Sequence, residues 1–136
     1  MNKEQQMVKE FHERFGAQSL NSPITFEELG DREQKLRNLR IDLIEEELGE
    51  LREALENQDI VEIADALGDL LYVVYGAGVT YGIDLEPIFE EIHRSNMSKG
   101  DPEIKIREDG KILKAKNYFR PNLKPIIDKM KEVENE

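Results

Sequence analysis

The sequence predicts an all-α protein, a bundle of four to five helices with a small β-hairpin near the C-terminus. Apolar residues recur with a period of about 3.6 residues through most of the chain, and capping residues separate the periodic stretches. The period changes to about two only after Lys99-Gly100. With 136 residues the chain suits one domain and a modest core, so we predict a single domain over residues 1–136.

Capping residues set the expected helix boundaries. Gly16 and Gly82 are expected C-terminal caps, because glycine adopts the left-handed backbone that ends many helices. Asp59 and Asp84 are expected N-terminal caps, because a carboxylate accepts hydrogen bonds from the first free backbone N–H groups. The predicted helices are Lys3–Phe15, residues 35–57, Ile60–Tyr81, a fourth that follows Asp84 with Pro87 in its first turn, and Asn122–Val133.

The hairpin is predicted between the fourth and fifth helices. Ile104 and Ile106 alternate with charged residues, and Ile112 follows a polar segment that contains Asp109-Gly110. An Asp-Gly pair between alternating apolar residues is typical of a tight β-turn.

Composition and charge exclude several classes of protein. The formal charge of -11 argues against a stable nucleic-acid partner, since phosphate backbones are held by clustered lysine and arginine. The absence of cysteine excludes disulfides, zinc-thiolate sites and thiol nucleophiles. We expect no signal peptide, because charged residues follow Met1 directly, and no membrane span, because the longest apolar run, Leu70 to Gly82, is too short. A cytoplasmic location is therefore expected, with this run forming a buried helix.

The second predicted helix places acidic residues where an amphipathic pattern calls for apolar ones. The motif is Glu46-Glu47-x-x-Glu50. At about 100° per residue, Glu47 falls near the middle of the apolar arc and Glu50 inside its edge, with Glu46 at the boundary. The opposite, solvated side of the helix carries Glu45, Glu53 and Glu56.

The third predicted helix is apolar except for one acidic stripe, which holds Glu62, Asp65 and Asp69. Two carboxylates about 4 Å apart repel by about 4 kcal/mol at an effective dielectric constant near 20, so a convergent set requires protons or cations. Oxygen ligands without cysteine favour Mg2+, with Mn2+ as a possible substitute. The alternative, in which Glu47 and Glu50 form a solvated charge ladder with arginines, leaves the stripe on the third helix unexplained.

Self-association is expected from the same helix. A helix that is apolar on nearly every side must be covered on every side, and four or five helices from one short chain do this only partly. Gly76 and Gly78 permit close helix approach, either between subunits or within one.

Several segments resemble the all-α nucleotide pyrophosphohydrolases, which include the MazG-like enzymes, the phosphoribosyl-ATP pyrophosphohydrolases and the dimeric dUTPases. The similar segments are VKEFHERF at 8–15, IEEELGEL at 44–51, EIADALGDLLY at 62–72 and SNMSK at 95–99. The resemblance implies a MazG-like helical bundle, usually a homodimer or a dimer of dimers. It also implies Mg2+-dependent cleavage of nucleoside triphosphates to monophosphate and pyrophosphate.

The resemblance further implies roles for individual residues. The metal ligands would be Glu47, Glu50, Glu62 and Asp65, and Glu46 would hold or deprotonate the attacking water. Spacings of three and four residues place each pair of acids on one helix face, which agrees with this assignment. Asp69, one turn beyond Asp65, would support the metal ligands, contact the nucleoside, or be a buried hydrogen-bonded residue.

Two further groups are candidates for contacts with the substrate. Asn96 and Lys99 follow the fourth helix and could reach phosphate oxygens. Tyr118 belongs to a basic and aromatic segment that either closes over the triphosphate or is a solvated strand and loop. The other members of that segment are Lys111, Lys114, Lys116, Phe119 and Arg120.

The sequence therefore predicts hydrolysis of a nucleoside triphosphate or a related nucleotide, with nucleotide-pool house-cleaning as the expected role. Phosphoribosyl-ATP hydrolysis is one alternative, and a noncatalytic nucleotide-binding regulator of the same fold is another. Glu90-x-x-His93 has the spacing of a di-iron motif, but such sites use two copies and the only other histidine is His12.

Overall fold

Five α-helices make up most of the structure, a computed structural model that describes residues 1–99, 105–113 and 118–134. The prediction of an all-α fold is confirmed. The α-helices are α1 (Lys3–Phe15), α2 (Arg32–Glu56), α3 (Ile60–Tyr81), α4 (Leu85–Met97) and α5 (Lys124–Glu134), with one 3-10 turn at Phe26–Glu28.

The predicted caps are present and explain where the helices begin and end. Asp59 accepts hydrogen bonds from the backbone N–H groups of Val61 and Glu62 at 3.1 and 3.2 Å, and Asp84 accepts one from Glu86 at 3.1 Å. Gly16 and Gly82 end α1 and α3 in the left-handed conformation, with φ of 79° and 70°.

Two helices begin at residues other than the predicted ones, and their ends differ by one residue, at Glu56 instead of residue 57 and at Glu134 instead of Val133. α2 begins at Arg32 instead of residue 35, because the backbone N–H groups of Arg32 and Glu33 already bond to the carbonyls of the preceding turn. α5 begins at Lys124 instead of Asn122, and the N–H of Asn122 donates to a carboxylate oxygen of Glu91 at 2.7 Å.

The chain divides into two compact units, Met1–Ile83 and Asp84–Glu136. In the first unit α3 packs against α1 and α2. The short connection from Asn57 to Asp59 makes α2 and α3 an antiparallel pair. The buried apolar side chains among the described residues all belong to this unit, and they are Val8, Leu29, Ala54, Ala66 and Val79.

α3 is less covered than its apolar sequence predicts. Its C-terminal half is buried at Gly76, Gly78, Val79 and Thr80. Leu71, however, is 57% exposed, so the prediction of a buried helix over the run from residue 70 to 82 is wrong for its first half. The reason is that α1 and α2, the helices that pack on α3 within this unit, leave one side of it open. No helix among the described residues combines the length and the apolar character needed to cross a membrane.

In the second unit, backbone groups of residues 119–122 are bound to side chains of α4 and the turn that follows it. The Ser95 hydroxyl donates to the carbonyl of Phe119 at 2.8 Å, and the N–H of Phe119 donates to the Ser98 hydroxyl at 3.2 Å. This unit also contains two antiparallel strands of two residues each, β1 (Lys105–Ile106) and β2 (Ile112–Leu113). They are too short to add a sheet layer, and Ile104 of the predicted hairpin lies outside the described residues.

Candidate metal and nucleotide site

Three carboxylates converge between α2 and α3. One oxygen from each of Glu47, Glu50 and Asp69 lies within 4.8 Å of the others. Glu47 and Glu50 share a face of α2 because they are three residues apart, and the antiparallel packing of α3 brings Asp69 against them. Oxygen ligands at this separation suit a hard divalent cation.

Glu47 has the most unusual environment in this cluster. Its Oε2 atom is buried and has no hydrogen-bond partner. Loss of solvent raises the pKa of Glu47, and the neighbouring carboxyl of Glu50 and the charges of Asp69 and Glu46 raise it further. A buried polar atom without a partner is costly, so this oxygen fits a bound cation better than an empty environment.

A cavity of about 490 Å³ adjoins the cluster and contains the remaining predicted metal ligands. Glu50 belongs to both the cluster and the cavity wall, so the two are continuous. Asp59 caps the first turn of α3 by accepting the N–H of Glu62, and Glu62 lines the cavity. The cavity is lined by Glu50, Glu53, Ala54, Asn57, Glu62, Asp65 and Ala66.

The structure therefore regroups the predicted acids. Glu47 and Glu50 come together with Asp69, for which the sequence predicts a role in supporting the ligands, in contacting the nucleoside or as a buried hydrogen-bonded residue. Glu62 and Asp65 face the cavity beside Glu50. The sequence shows the spacings of three and four residues from Glu62 to Asp65 and on to Asp69. It does not show which turn of α3 lies opposite the acidic residues of α2.

Glu53 is exposed, as predicted for the solvated side of its helix, and it also lines the cavity. A helical wheel describes one isolated helix, so it does not show a cavity that residues of two helices line together. The neighbouring Glu46 is exposed, and its charge reaches Glu47.

The predicted phosphate-contacting residues lie in the second unit. Asn96 is in the last turn of α4, and its carbonyl accepts the N–H of Lys99 at 3.1 Å. The Lys99 ammonium lies 5.7 Å from the centroid of the Tyr118 ring, a favourable cation–π distance. The structure thus brings Lys99 and Tyr118 together, while Lys114 and Lys116 lie outside the described residues.

The di-iron alternative finds no support in the geometry. Glu90 and His93 are exposed on α4, and His12 is buried with its Nδ1 atom 2.9 Å from the carbonyl oxygen of Gln18. Within residues 1–99, 105–113 and 118–134, no histidine joins a group of metal-capable carboxylates.

These features define a helical protein in which carboxylates of two antiparallel helices converge beside a cavity. The family model for phosphoribosyl-ATP pyrophosphohydrolase matches residues 8–96, from α1 into α4, and includes both acidic motifs. The chain belongs to this family, within the superfamily of MazG-like nucleoside triphosphate pyrophosphohydrolases, and the resemblance seen in the sequence is confirmed. A comparison with curated proteins found no match to the chain.

Membership of this family sets the class of activity. The protein is a pyrophosphohydrolase that acts on nucleotides, a hydrolase of acid anhydrides. The family is metal-dependent, which agrees with the cluster formed by Glu47, Glu50 and Asp69.

Proposed function

We propose that this protein hydrolyses a nucleoside triphosphate to nucleoside monophosphate and pyrophosphate, using Mg2+ or, in its place, Mn2+. The observation that carries the proposal is the buried, unpartnered oxygen of Glu47 beside two further carboxylates. The adjoining cavity of about 490 Å³ is in the size range of small-molecule sites.

The metal would be held by Glu47, Glu50, Glu62 and Asp65, and the cluster geometry adds Asp69 as a candidate ligand. A bound Mg2+ would lower the pKa of water and neutralise charge on the leaving pyrophosphate. Without the cation, the repulsion among these carboxylates opposes both folding and the approach of a polyphosphate.

Glu46 is proposed to orient the attacking water and to accept its proton. No serine, cysteine or histidine lies in the two acidic motifs, so water is the nucleophile. The water oxygen forms a bond to the α-phosphorus, the bond from that phosphorus to the α,β-bridging oxygen breaks, and pyrophosphate leaves with the bonding electrons. The proton passes to Glu46 and then to solvent.

Asn96, Lys99 and Tyr118 are proposed to contact the substrate. An amide and an ammonium can donate hydrogen bonds to phosphate oxygens, and the aromatic ring holds the lysine close. We expect Lys99→Gln to raise KM for the nucleotide by more than it lowers kcat, because its bonds to the substrate are made before the chemical step.

The remaining proposals concern the biological setting. We propose a homodimer or a dimer of dimers, because large apolar side chains are exposed on α1, α2, α3 and α4. We also propose a cytoplasmic house-cleaning role without a stable nucleic-acid partner, in keeping with the charge of -11.

A second candidate substrate is phosphoribosyl-ATP, which the name of the matching family favours. The bond that breaks would be of the same kind, so both candidates predict release of pyrophosphate. A noncatalytic nucleotide-binding regulator is disfavoured, because a protein without a cation would be more stable after losing some of these acids.

The test is product analysis over a panel of ordinary and modified nucleoside triphosphates and phosphoribosyl-ATP, with Mg2+, with Mn2+ and in EDTA. We expect equal amounts of monophosphate and pyrophosphate, and no turnover in EDTA. In water enriched in oxygen-18, the label should enter the monophosphate, because attack occurs at the α-phosphorus. Diphosphate with orthophosphate would refute the mechanism, and no turnover of any nucleotide would favour the regulator.

A further inference from the structure

Arg40 of α2 is a half-buried cation without a matching anion. Its Nε atom is buried and has no hydrogen-bond partner, and no ion pair to Arg40 occurs among the residues that the structure describes. Burial lowers the pKa of Arg40, and the nearby Tyr81 opposes this shift. A guanidinium remains charged at neutral pH, so a partly desolvated and unpaired one favours an anionic ligand.

The guanidinium of Arg40 and the imidazole of His12 both approach Gly76 of α3. A Cβ atom on Gly76 would lie 3.0 Å from Nη1 of Arg40 and 3.2 Å from Nε2 of His12. Both side chains therefore lie over the same bare stretch of backbone. Any larger residue at this position would push at least one of them away.

The orientation of His12 is fixed by its other nitrogen. Nδ1 lies 2.9 Å from the carbonyl oxygen of Gln18, and a carbonyl can only accept, so Nδ1 carries a proton. The side chain of Gln18 is itself held, because its Nε2 donates to the carbonyl of Thr80 at 2.9 Å. The Nε2 atom of His12 is thus aimed at the Arg40 side of Gly76, and it can accept or, when protonated, donate.

This pair lies away from the carboxylate cluster but on the same helix–helix contact. Arg40 precedes Glu47 by seven residues on α2, and Gly76 follows Asp69 by seven residues on α3. Seven residues of α-helix span about 10 Å. A phosphoryl group bound directly to a metal ion at the cluster is held at roughly 2 Å from it, so it would not also occupy the position of Arg40.

We propose that Arg40 and His12 form a second, metal-independent subsite that binds a phosphoryl group. The choice of a phosphoryl group among anions rests on the proposed function. The occupant is either a phosphoryl group of the nucleotide substrate that the metal does not coordinate, or free phosphate or pyrophosphate. Its anionic oxygens accept from the Arg40 guanidinium, and a protonated oxygen donates to Nε2 of His12.

The first test follows the two histidine rings by NMR in the full-length protein with EDTA present, so that no metal brings phosphate to the carboxylates. Pyrophosphate is titrated at constant pH and ionic strength. We expect saturable shifts of the His12 ring nitrogens, while the exposed His93 serves as an internal control and stays unchanged. An unchanged His12, or equal shifts of both rings, would overturn the proposal.

The second test compares two arginine variants of α2. Arg40→Gln should weaken pyrophosphate binding by about tenfold or more, because charge-assisted hydrogen bonds are lost. The matched control is Arg37→Gln, at a half-exposed arginine 3.8 Å from Glu33, which should bind like the parent. If Arg40→Gln fails to fold, Arg40→Lys replaces it, since lysine keeps the charge but loses the planar fork. Equal binding by the Arg40 and Arg37 variants contradicts the subsite.

Turnover with Mg2+ then separates the two possible occupants. A higher KM for the nucleotide in the Arg40 variant, with inhibition by phosphate unchanged, assigns the subsite to the substrate. An unchanged KM with loss of phosphate inhibition assigns it to free phosphate. No change in either overturns the proposal. If the parent hydrolyses no nucleotide, the proposed function fails while the metal-free binding result still decides the subsite.

Discussion

Glu47 carries a buried carboxylate oxygen without a hydrogen-bond donor, beside the acids of Glu50 and Asp69. Glu47→Gln removes one negative charge from this cluster and supplies an N–H donor. We expect the metal-free variant to melt at the same temperature as the parent or higher, because repulsion falls. Its affinity for Mn2+ should fall by about 100-fold or more, because loss of a residue that only supports a metal ligand already costs about 10- to 100-fold.

Titration calorimetry and thermal melts with and without Mn2+ measure both effects. Glu45→Gln is the matched control, since Glu45 is an exposed acid of the same helix outside the cluster and cavity. Parent-like Mn2+ affinity in the Glu47 variant would show that the cluster does not hold the metal.

Protonation of Glu91 should lower the stability of the second unit. The hydrogen bond between Glu91 and Arg94 lowers the pKa of Glu91, and the backbone N–H of Asn122 lowers it further. The folded state therefore holds this proton less tightly than the unfolded state does. The stabilisation that ionised Glu91 contributes to the folded state is fully present above the ordinary pKa of 4.5. It is lost as the pH falls through the lower pKa of the folded state.

We expect Glu91→Gln to melt below the parent at pH 7, with the difference shrinking as the solution is acidified below pH 4.5. Circular dichroism melts over a pH series give this comparison. Glu90→Gln, at the exposed neighbouring position, controls for the general loss of a negative charge on α4. A difference between Glu91→Gln and the parent that is independent of pH would contradict the expectation.

At the scale of elements, the end of α3 depends on a close backbone approach. Gly82 has φ of 70°, and a Cβ atom there would lie 1.9 Å from the carbonyl oxygen of Ser22. The segment around Ser22 is held beside α3 by backbone hydrogen bonds, Leu20 N–H to Val79 and Ile24 N–H to Tyr81. A side chain at position 82 must therefore displace a bonded segment as well as adopt a strained φ.

We expect Gly82→Ala to lower the free energy of unfolding by at least about 3 kcal/mol, combining the φ penalty with lost hydrogen bonds. Gly16→Ala is a matched control, because Gly16 also has a positive φ, 79°, but a Cβ atom there meets nothing within 4 Å. It should cost only about 1 kcal/mol. Urea unfolding measures both values, and equal costs would show that the contact with Ser22 is unimportant.

At the scale of the whole molecule, the exposed apolar side chains predict self-association. Ile60, Val61 and Leu71 of α3 are 75%, 71% and 57% exposed, although the helix is apolar around most of its circumference. Exposed apolar surface of this extent along one helix is typical of an interface. We expect at least a dimer at micromolar concentration in sedimentation equilibrium.

Leu71→Lys should weaken this association, because a charge would be buried in the interface. Gln34→Lys adds the same charge at an exposed polar position of α2 and should leave the assembly unchanged. A parent protein that sediments as a monomer throughout the micromolar range would remove the argument for self-association.

The sequence alone determined the features that depend on neighbours along one helix. The all-α fold, the caps at Gly16, Asp59, Gly82 and Asp84, and the pairing of Glu47 with Glu50 follow from spacings of a few residues. Such spacings have nearly the same geometry in every α-helix, so they can be read without knowing the partner.

Only the tertiary structure decided which helix faces meet and at what level. It placed Asp69 beside Glu47, Glu62 and Asp65 on the cavity wall, and the side chains of Arg40 and His12 over Gly76. It also left half of α3 exposed. These outcomes depend on the register between helices, which packing of many side chains fixes and which a helical wheel does not contain.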